Sequence, residues 1–249
     1  MLFIVAYMLR RVITSIGGLC VVIGGLLIGR WGFSILWAVV GFVLLCEWQK
    51  GEKMPLPIFL GVIPVVSLIW ISGVIPSLWR FTLSIFMIEM MLFIIFMEPK
   101  RDFLWTYRAV WGLVFLGVGW GSLLWIFFPD YVWWKVLAFL SLVWVADTAA
   151  YFGGKMLGKH PILPRVSPNK TWEGFIGGAL ATSAWSMWAV EWAGGPTGVF
   201  AAVVGLAVAV IGFFGDAWQS AWKRQLGLKD SGALLPGHGG VWDRIDALL

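Results

Sequence analysis

Residues 197–219 read TGVFAAVVGLAVAVIGFFGDAWQ, an apolar run whose only charged residue is Asp216, near its end. A helix needs about 20 apolar residues to cross the hydrocarbon of a bilayer, so this run is long enough to span. Its neighbours repeat the pattern. Apolar runs bounded by charge or by Pro and Gly predict eight spans, near 12–29, 32–48, 55–73, 81–97, 104–128, 132–153, 174–193 and 197–219. The whole chain agrees, being 60% hydrophobic and only 12% charged, against roughly 25% charged in an ordinary soluble domain. The expected fold is all-α, a polytopic transmembrane helical bundle of about eight spans. It divides into N-terminal transmembrane helices over 1–130 and a transmembrane catalytic region over 131–249. Arg10 and Arg11 before the first run imitate a secretory leader. The run is long for a leader and lacks a small-residue cleavage site, so it reads as a span. Cys20 and Cys46 lie within apolar runs, at neither disulfide nor metal-ligand spacing.

Basic segments resist translocation, which orients the chain. With the N-terminus inside, all 18 Lys and Arg residues except Arg30, Arg80 and Lys135 fall on the inner side. The two long polar segments, 154–173 and the tail from Trp222, then face the cytoplasm, where nucleotides are available. The expected location is the bacterial inner membrane. The spacings Gly25/Gly29, Gly117/Gly121 and Gly174/Gly178 would let helices approach closely.

The acidic residues concentrate where chemistry is expected. Of 13 Asp and Glu, six lie near the inner ends of the last three spans: Asp147, Glu173, Asp216, Asp230, Asp243 and Asp246. Asp147 and Asp216 sit at or near membrane depth, where a carboxylate is costly unless paired, protonated or metal-bound. If the last span continues as a helix, Asp216, Ser220, Lys223 and Arg224 share one face. A carboxylate, a hydroxyl and two cations in line suit a polyphosphate held through a divalent ion; the plainer alternative is a Lys-Arg pair meeting anionic headgroups. Next, Gly237, Gly239 and Gly240 surround His238 in KDSGALLPGHGGVWDRID, which begins at Lys229. Glycines there permit an anion-cradling backbone nest beside an imidazole. Asp243 and Asp246 are three residues apart and would both reach a metal from a helical turn. In the other polar segment Gly153, Gly158 and Lys159 imitate a phosphate loop. His160 stands where a Ser or Thr should be, and a span precedes it in place of a strand, so that reading is rejected. Lys170 in SPNKTWEG remains available for a phosphate. Glu89, midway along the fourth run, has no evident role.

From Ser220 to Asp246 the sequence SAWKRQLGLKDSGALLPGHGGVWDRID resembles the signature of the phosphatidate cytidylyltransferase family, in its Lys-Arg, Lys-Asp, His-Gly-Gly and Asp-Arg-x-Asp. Supporting pieces are RRVITSI near the start, GKMLGKHPILPRVSPNKTWEG and Gly215-Asp216. The resemblance implies CTP and phosphatidate as substrates, CDP-diacylglycerol and pyrophosphate as products, and Mg²⁺ or another divalent cation. It also implies roles. Asp216, Asp243 and Asp246 would hold the metal, with Asp230 in support. Lys223, Arg224, Lys229 and Arg244 would hold phosphates beside Ser220, and His238 with its glycines would face the triphosphate. Lys170, Gly237, Gly239 and Gly240 would bind substrate. Membrane lipid is a partner, nucleic acid is not expected, and a homodimer is left open. Family members usually continue past Asp-Arg-x-Asp into another transmembrane helix, whereas this sequence ends at Leu249. A chain extended by downstream residues is expected to be more stable or more active. Two rivals remain at this level: the same transfer to another lipid phosphate, and a secondary transporter using Glu89, Asp147 and Asp216.

Overall fold

The computed structural model describes residues 2–52, 131–232 and 240–245. The expected spans at 55–73, 81–97 and 104–128 lie outside them, as does Glu89. The elements are α1 (Leu2–Leu27), α2 (Arg30–Glu52), α3 (Trp133–Leu157), β1 (Pro161–Leu163), β2 (Ser167–Thr171), α4 (Trp172–Trp192), α5 (Val199–Gln225) and α6 (Trp242–Ile245). Among the described residues, three stretches are long and apolar enough to cross a membrane: Arg30–Trp48, Trp133–Leu157 and Val199–Gln225. They match the second, sixth and eighth expected spans. The seventh forms as α4, but its three glycines, two glutamates and four tryptophans keep it out of that group.

The described residues fall into two compact units. One holds α1, α2 and the tail Gln225–Ile245. Ile28 and Gly29 join α1 to α2, and Gly29 takes φ +101°, a conformation glycine adopts without a steric penalty. The helices then meet where a Cβ on Gly25 would lie 2.7 Å from Leu36 Cδ2. Tyr131 donates its hydroxyl to the Leu26 carbonyl at 2.6 Å, satisfying an acceptor at the end of α1. Against α2 the tail sets Trp242, whose ring lies 5.4 Å from that of Trp48; both are fully buried.

The other unit holds 134–224 and packs α3, α4 and α5 through small residues. Gly174 and Gly178 of α4 face the α3 backbone: a Cβ on Gly178 would stand 3.0 Å from the Ala146 carbonyl oxygen. Gly205 of α5 meets the Thr182 carbonyl and the Ser186 hydroxyl of α4 more closely still. Ala138, Leu142 and Ala189 form the core there, joined by Val204 and Val208. Lipid supplies no hydrophobic drive between helices, so close backbone approach and interhelical hydrogen bonds must hold them. Ser186 Oγ to the Ala201 carbonyl (2.7 Å) and Trp185 Nε1 to Ser141 Oγ (2.9 Å) are two such bonds, each worth about 0.6 kcal/mol on average. Large apolar side chains such as Leu180, Val199 and Ile211 point outward, as a lipid-facing surface requires.

The segment between α3 and α4 departs from an all-α fold. Residues 161–171 form a two-stranded antiparallel hairpin that pairs Pro161 with Thr171 and Leu163 with Ser167. Pro161, Pro164 and Pro168 disfavour helix there, and the hairpin satisfies the backbone instead. Thr171 then caps α4, its hydroxyl accepting from the Gly174 N–H at 3.2 Å.

Candidate active site

A cavity of about 320 Å³ opens between α3, α4, α5 and β2. Its polar wall carries Asp147 from α3, Ser167, Asn169 and Lys170 from β2, and Asp216 from α5; Val143, Phe175, Val208 and Phe213 supply apolar surface. Lys170 Nζ stands 2.8 Å from Asp216 Oδ2 and 5.0 Å from the centre of the Phe213 ring. The contact with Asp216 is an ion pair without the alignment of a hydrogen bond. The ammonium is buried, with no aligned acceptor among the described residues, so it retains donor capacity for an incoming anion. Ser220 Oγ donates to Asp216 Oδ1 at 3.3 Å, as the expected shared face requires, because α5 does continue to Gln225. Further along, Arg224 reaches the hairpin turn, its Nε donating to the Val166 carbonyl at 3.3 Å. Lys223 is half-buried near the end of α5.

The region that imitated a phosphate loop is built otherwise. Gly153 and Gly154 belong to α3 and pack on Gly174. Glu173 accepts the Lys159 N–H (3.1 Å), the His160 N–H (3.3 Å) and the His160 ring Nδ1 (2.5 Å). These bonds, the His160 ring first among them, pull the Glu173 carboxyl down to about 2. A depressed carboxyl stabilises above its ordinary range, and its contribution disappears as pH falls from 4.5 toward 2. Wild-type amides at 158–160 are therefore expected to exchange faster as pH drops through that window, after correction for intrinsic rates. In Glu173→Gln they should exchange fast throughout. Parallel pH profiles for the two proteins would show that Glu173 does not hold this loop.

In the other unit a second carboxylate cluster orders the tail. Glu47, near the end of α2, is buried and accepts the Val241 N–H at Oε1 (2.8 Å), and the Trp242 N–H (2.9 Å) and Ser231 hydroxyl (3.1 Å) at Oε2. Asp243 Oδ2 accepts the Ser231 N–H (2.8 Å) and the Gly240 N–H (3.0 Å). One oxygen of this expected metal ligand is thus engaged by backbone. Gly240 lies within this second cluster, and Lys229 and Asp230 are exposed in the same tail. Arg244 belongs to α6, its side chain outside the described residues, as are Gly237, His238, Gly239 and Asp246.

The sequence has relatives. Residues 9–249 match the Cytidylyltransferase family. The chain belongs to that family. Proteins named phosphatidate cytidylyltransferase resemble it over part of its length. The one from Brucella suis is 46% identical over 114 residues, covering 46% of this chain and 42% of that protein. The Pseudomonas aeruginosa protein is 45% identical over 115 residues, covering 45% of this chain and 42% of its own length. A Staphylococcus aureus protein is 44% identical over 113 residues, covering 45% and 43%. Within this family member the structure pairs Ser220 with Asp216, and it brings Lys170 and Asp147 to the cavity that Asp216 lines, a meeting the sequence did not announce. Glu47 escaped sequence reading altogether. Its one signal is a lone carboxylate at the end of the second apolar run, the same signal that singled out Asp216.

Proposed function

We propose that this chain transfers CMP from CTP to phosphatidate, producing CDP-diacylglycerol and pyrophosphate at the cytoplasmic side of a membrane. The observation that carries this reading is the cavity in which two carboxylates and a buried, under-engaged lysine converge beneath a hairpin. Its volume is within the range of small-molecule sites. A phosphate oxygen of phosphatidate attacks the α-phosphorus of CTP, one P–O bond forms, and the bond to pyrophosphate breaks. A phosphate monoester is already ionised at neutral pH, so no strong general base is needed. Positioning and charge neutralisation carry the catalysis.

Lys170 offers its spare donor positions to phosphate oxygen, and Phe213 keeps water off the ammonium's other side. Asp147 and Asp216 are hard oxygen donors of the kind Mg²⁺ requires, and Lys170 alone does not neutralise both. Those two carboxylates would hold a divalent cation there. When bound, the cation neutralises triphosphate charge and orients its oxygens. Ser220 holds the Asp216 carboxylate at its other oxygen. The cytoplasmic orientation rests on the distribution of Lys and Arg, which leaves Arg30, Arg80 and Lys135 alone on the opposite side. The eight-span count rests on the apolar runs.

The test uses purified protein in oriented vesicles containing phosphatidate. CTP with Mg²⁺ on the cytoplasmic side should yield CDP-diacylglycerol and pyrophosphate in equal amounts, and CTP on the opposite side should yield none. Turnover of a different lipid phosphate but not phosphatidate would overturn the substrate, and absence of nucleotide-dependent product would overturn the reaction.

A further inference from the structure

A carboxylate buried near the end of a membrane-spanning helix is expensive unless its oxygens are satisfied. Glu47 is satisfied entirely by the tail: two consecutive backbone N–H groups, those of Val241 and Trp242, and the Ser231 hydroxyl. The tail is shaped to receive it. A Cβ on Gly240 would lie 2.6 Å from Glu47 Oε2 and 2.7 Å from Oε1, and one on Gly232 would lie 2.9 Å from Oε1. A methyl group added at either position would displace the Glu47 carboxylate from its donors. The same turn carries Asp243, whose Oδ2 binds the N–H groups of Ser231 and Gly240. Glu47 and Asp243 therefore share Ser231 as a partner, one at its hydroxyl and one at its amide. The Trp48 and Trp242 rings pack against each other, their centres 5.4 Å apart.

We propose that Glu47 is a positioning residue for the transfer reaction: it clamps Ser231 and residues 240–242 so that Asp243 is presented in one fixed orientation. This rests on the cytidylyltransferase reading of the chain. Glu47 does not itself touch substrate. Two oxygens accept three donors here, and a glutamine in its place always turns an NH₂ toward at least one backbone N–H. The Glu47→Gln protein keeps the size and loses the clamp.

The experiment measures kcat and KM for CTP, the Mg²⁺ dependence of the rate and the melting midpoint of full-length protein, wild type and Glu47→Gln. Hydrogen exchange is followed in the same samples. A positioning role gives Glu47→Gln a kcat lower by about tenfold or more, with KM for CTP changed less than about twofold. It also shifts the Mg²⁺ requirement upward and speeds exchange at 240–242. A merely structural Glu47 would reduce the folded fraction and leave turnover per folded molecule and its Mg²⁺ dependence unchanged, overturning the proposal. Should Glu47→Gln fail to fold, Ser231→Ala and Gly240→Ala test the same clamp from the tail side. Each should lower kcat, Gly240→Ala the more, because its methyl group displaces the carboxylate. Normal kcat in both would equally overturn it. If wild-type protein shows no CTP-dependent turnover, the functional reading has failed. Exchange at 231 and 240–242 in Glu47→Gln then judges the clamp separately, and unchanged rates would refute it.

Discussion

Asp216→Asn is expected to insert and fold while losing turnover by about 100-fold, equivalent to about 2.7 kcal/mol of transition-state stabilisation. Asparagine keeps the shape of the side chain and still accepts from the Ser220 hydroxyl, which lies 3.3 Å from Oδ1. What it loses is the charge. Lys170 Nζ, 2.8 Å from Oδ2, then lacks its counter-ion, and a divalent cation loses one of the two carboxylates in the cavity. Initial rates against Mg²⁺ concentration separate these consequences. If Asp216 serves the cation, saturating Mg²⁺ restores part of the rate to the variant. If it serves only to neutralise Lys170, the double variant Asp216→Asn with Lys170→Met regains stability, and Asp216→Asn alone retains near-normal turnover. That last result would remove Asp216 from the chemistry.

The second large effect is structural and reaches the site through packing. Gly174→Ala places a methyl group 2.7 Å from the Ala150 carbonyl oxygen and 3.0 Å from Gly154 N and Cα. All of these are backbone atoms of α3, which cannot turn aside as a flexible side chain does. The helices must separate, at a cost of about 1–3 kcal/mol for overpacking. Ala150 and Gly174 both line the cavity, so its polar wall shifts with them and turnover falls as well. Gly177→Ala is the control, three residues further on the same helix. A Cβ there would meet the Gly153 Cα of α3 no closer than 4.0 Å. It should be neutral or stabilise by up to about 1 kcal/mol through helix propensity. Apparent melting midpoints taken at one scan rate compare the variants. Equal midpoints for Gly174→Ala and Gly177→Ala would show that the α3–α4 contact tolerates an added methyl group.

Span positions were legible in the chain because hydropathy is a local property: twenty apolar residues in a row need no partner to declare themselves. The second, sixth and eighth runs became α2, α3 and α5 within a few residues. The shared face of Asp216 and Ser220 was legible for the same reason, since helical periodicity fixes which side chains of one helix are neighbours. The Gly174/Gly178 spacing also pointed to a real contact, whereas Gly29 proved to be a turn residue with positive φ rather than a packing one. The hairpin at 161–171 is not legible in the sequence, because three prolines in a short polar stretch disguise strand pairing and its register depends on where α3 and α4 hold its ends. Pairings between distant residues carry no periodic signal at all. Nothing in the neighbourhood of Lys170 announces Asp216, 46 positions on by the numbering, and nothing near Glu47 announces Val241 and Trp242, separated from it by 194 and 195 positions. Such contacts exist only once the helices have packed, because a buried carboxylate takes whichever donors the tertiary structure brings within reach.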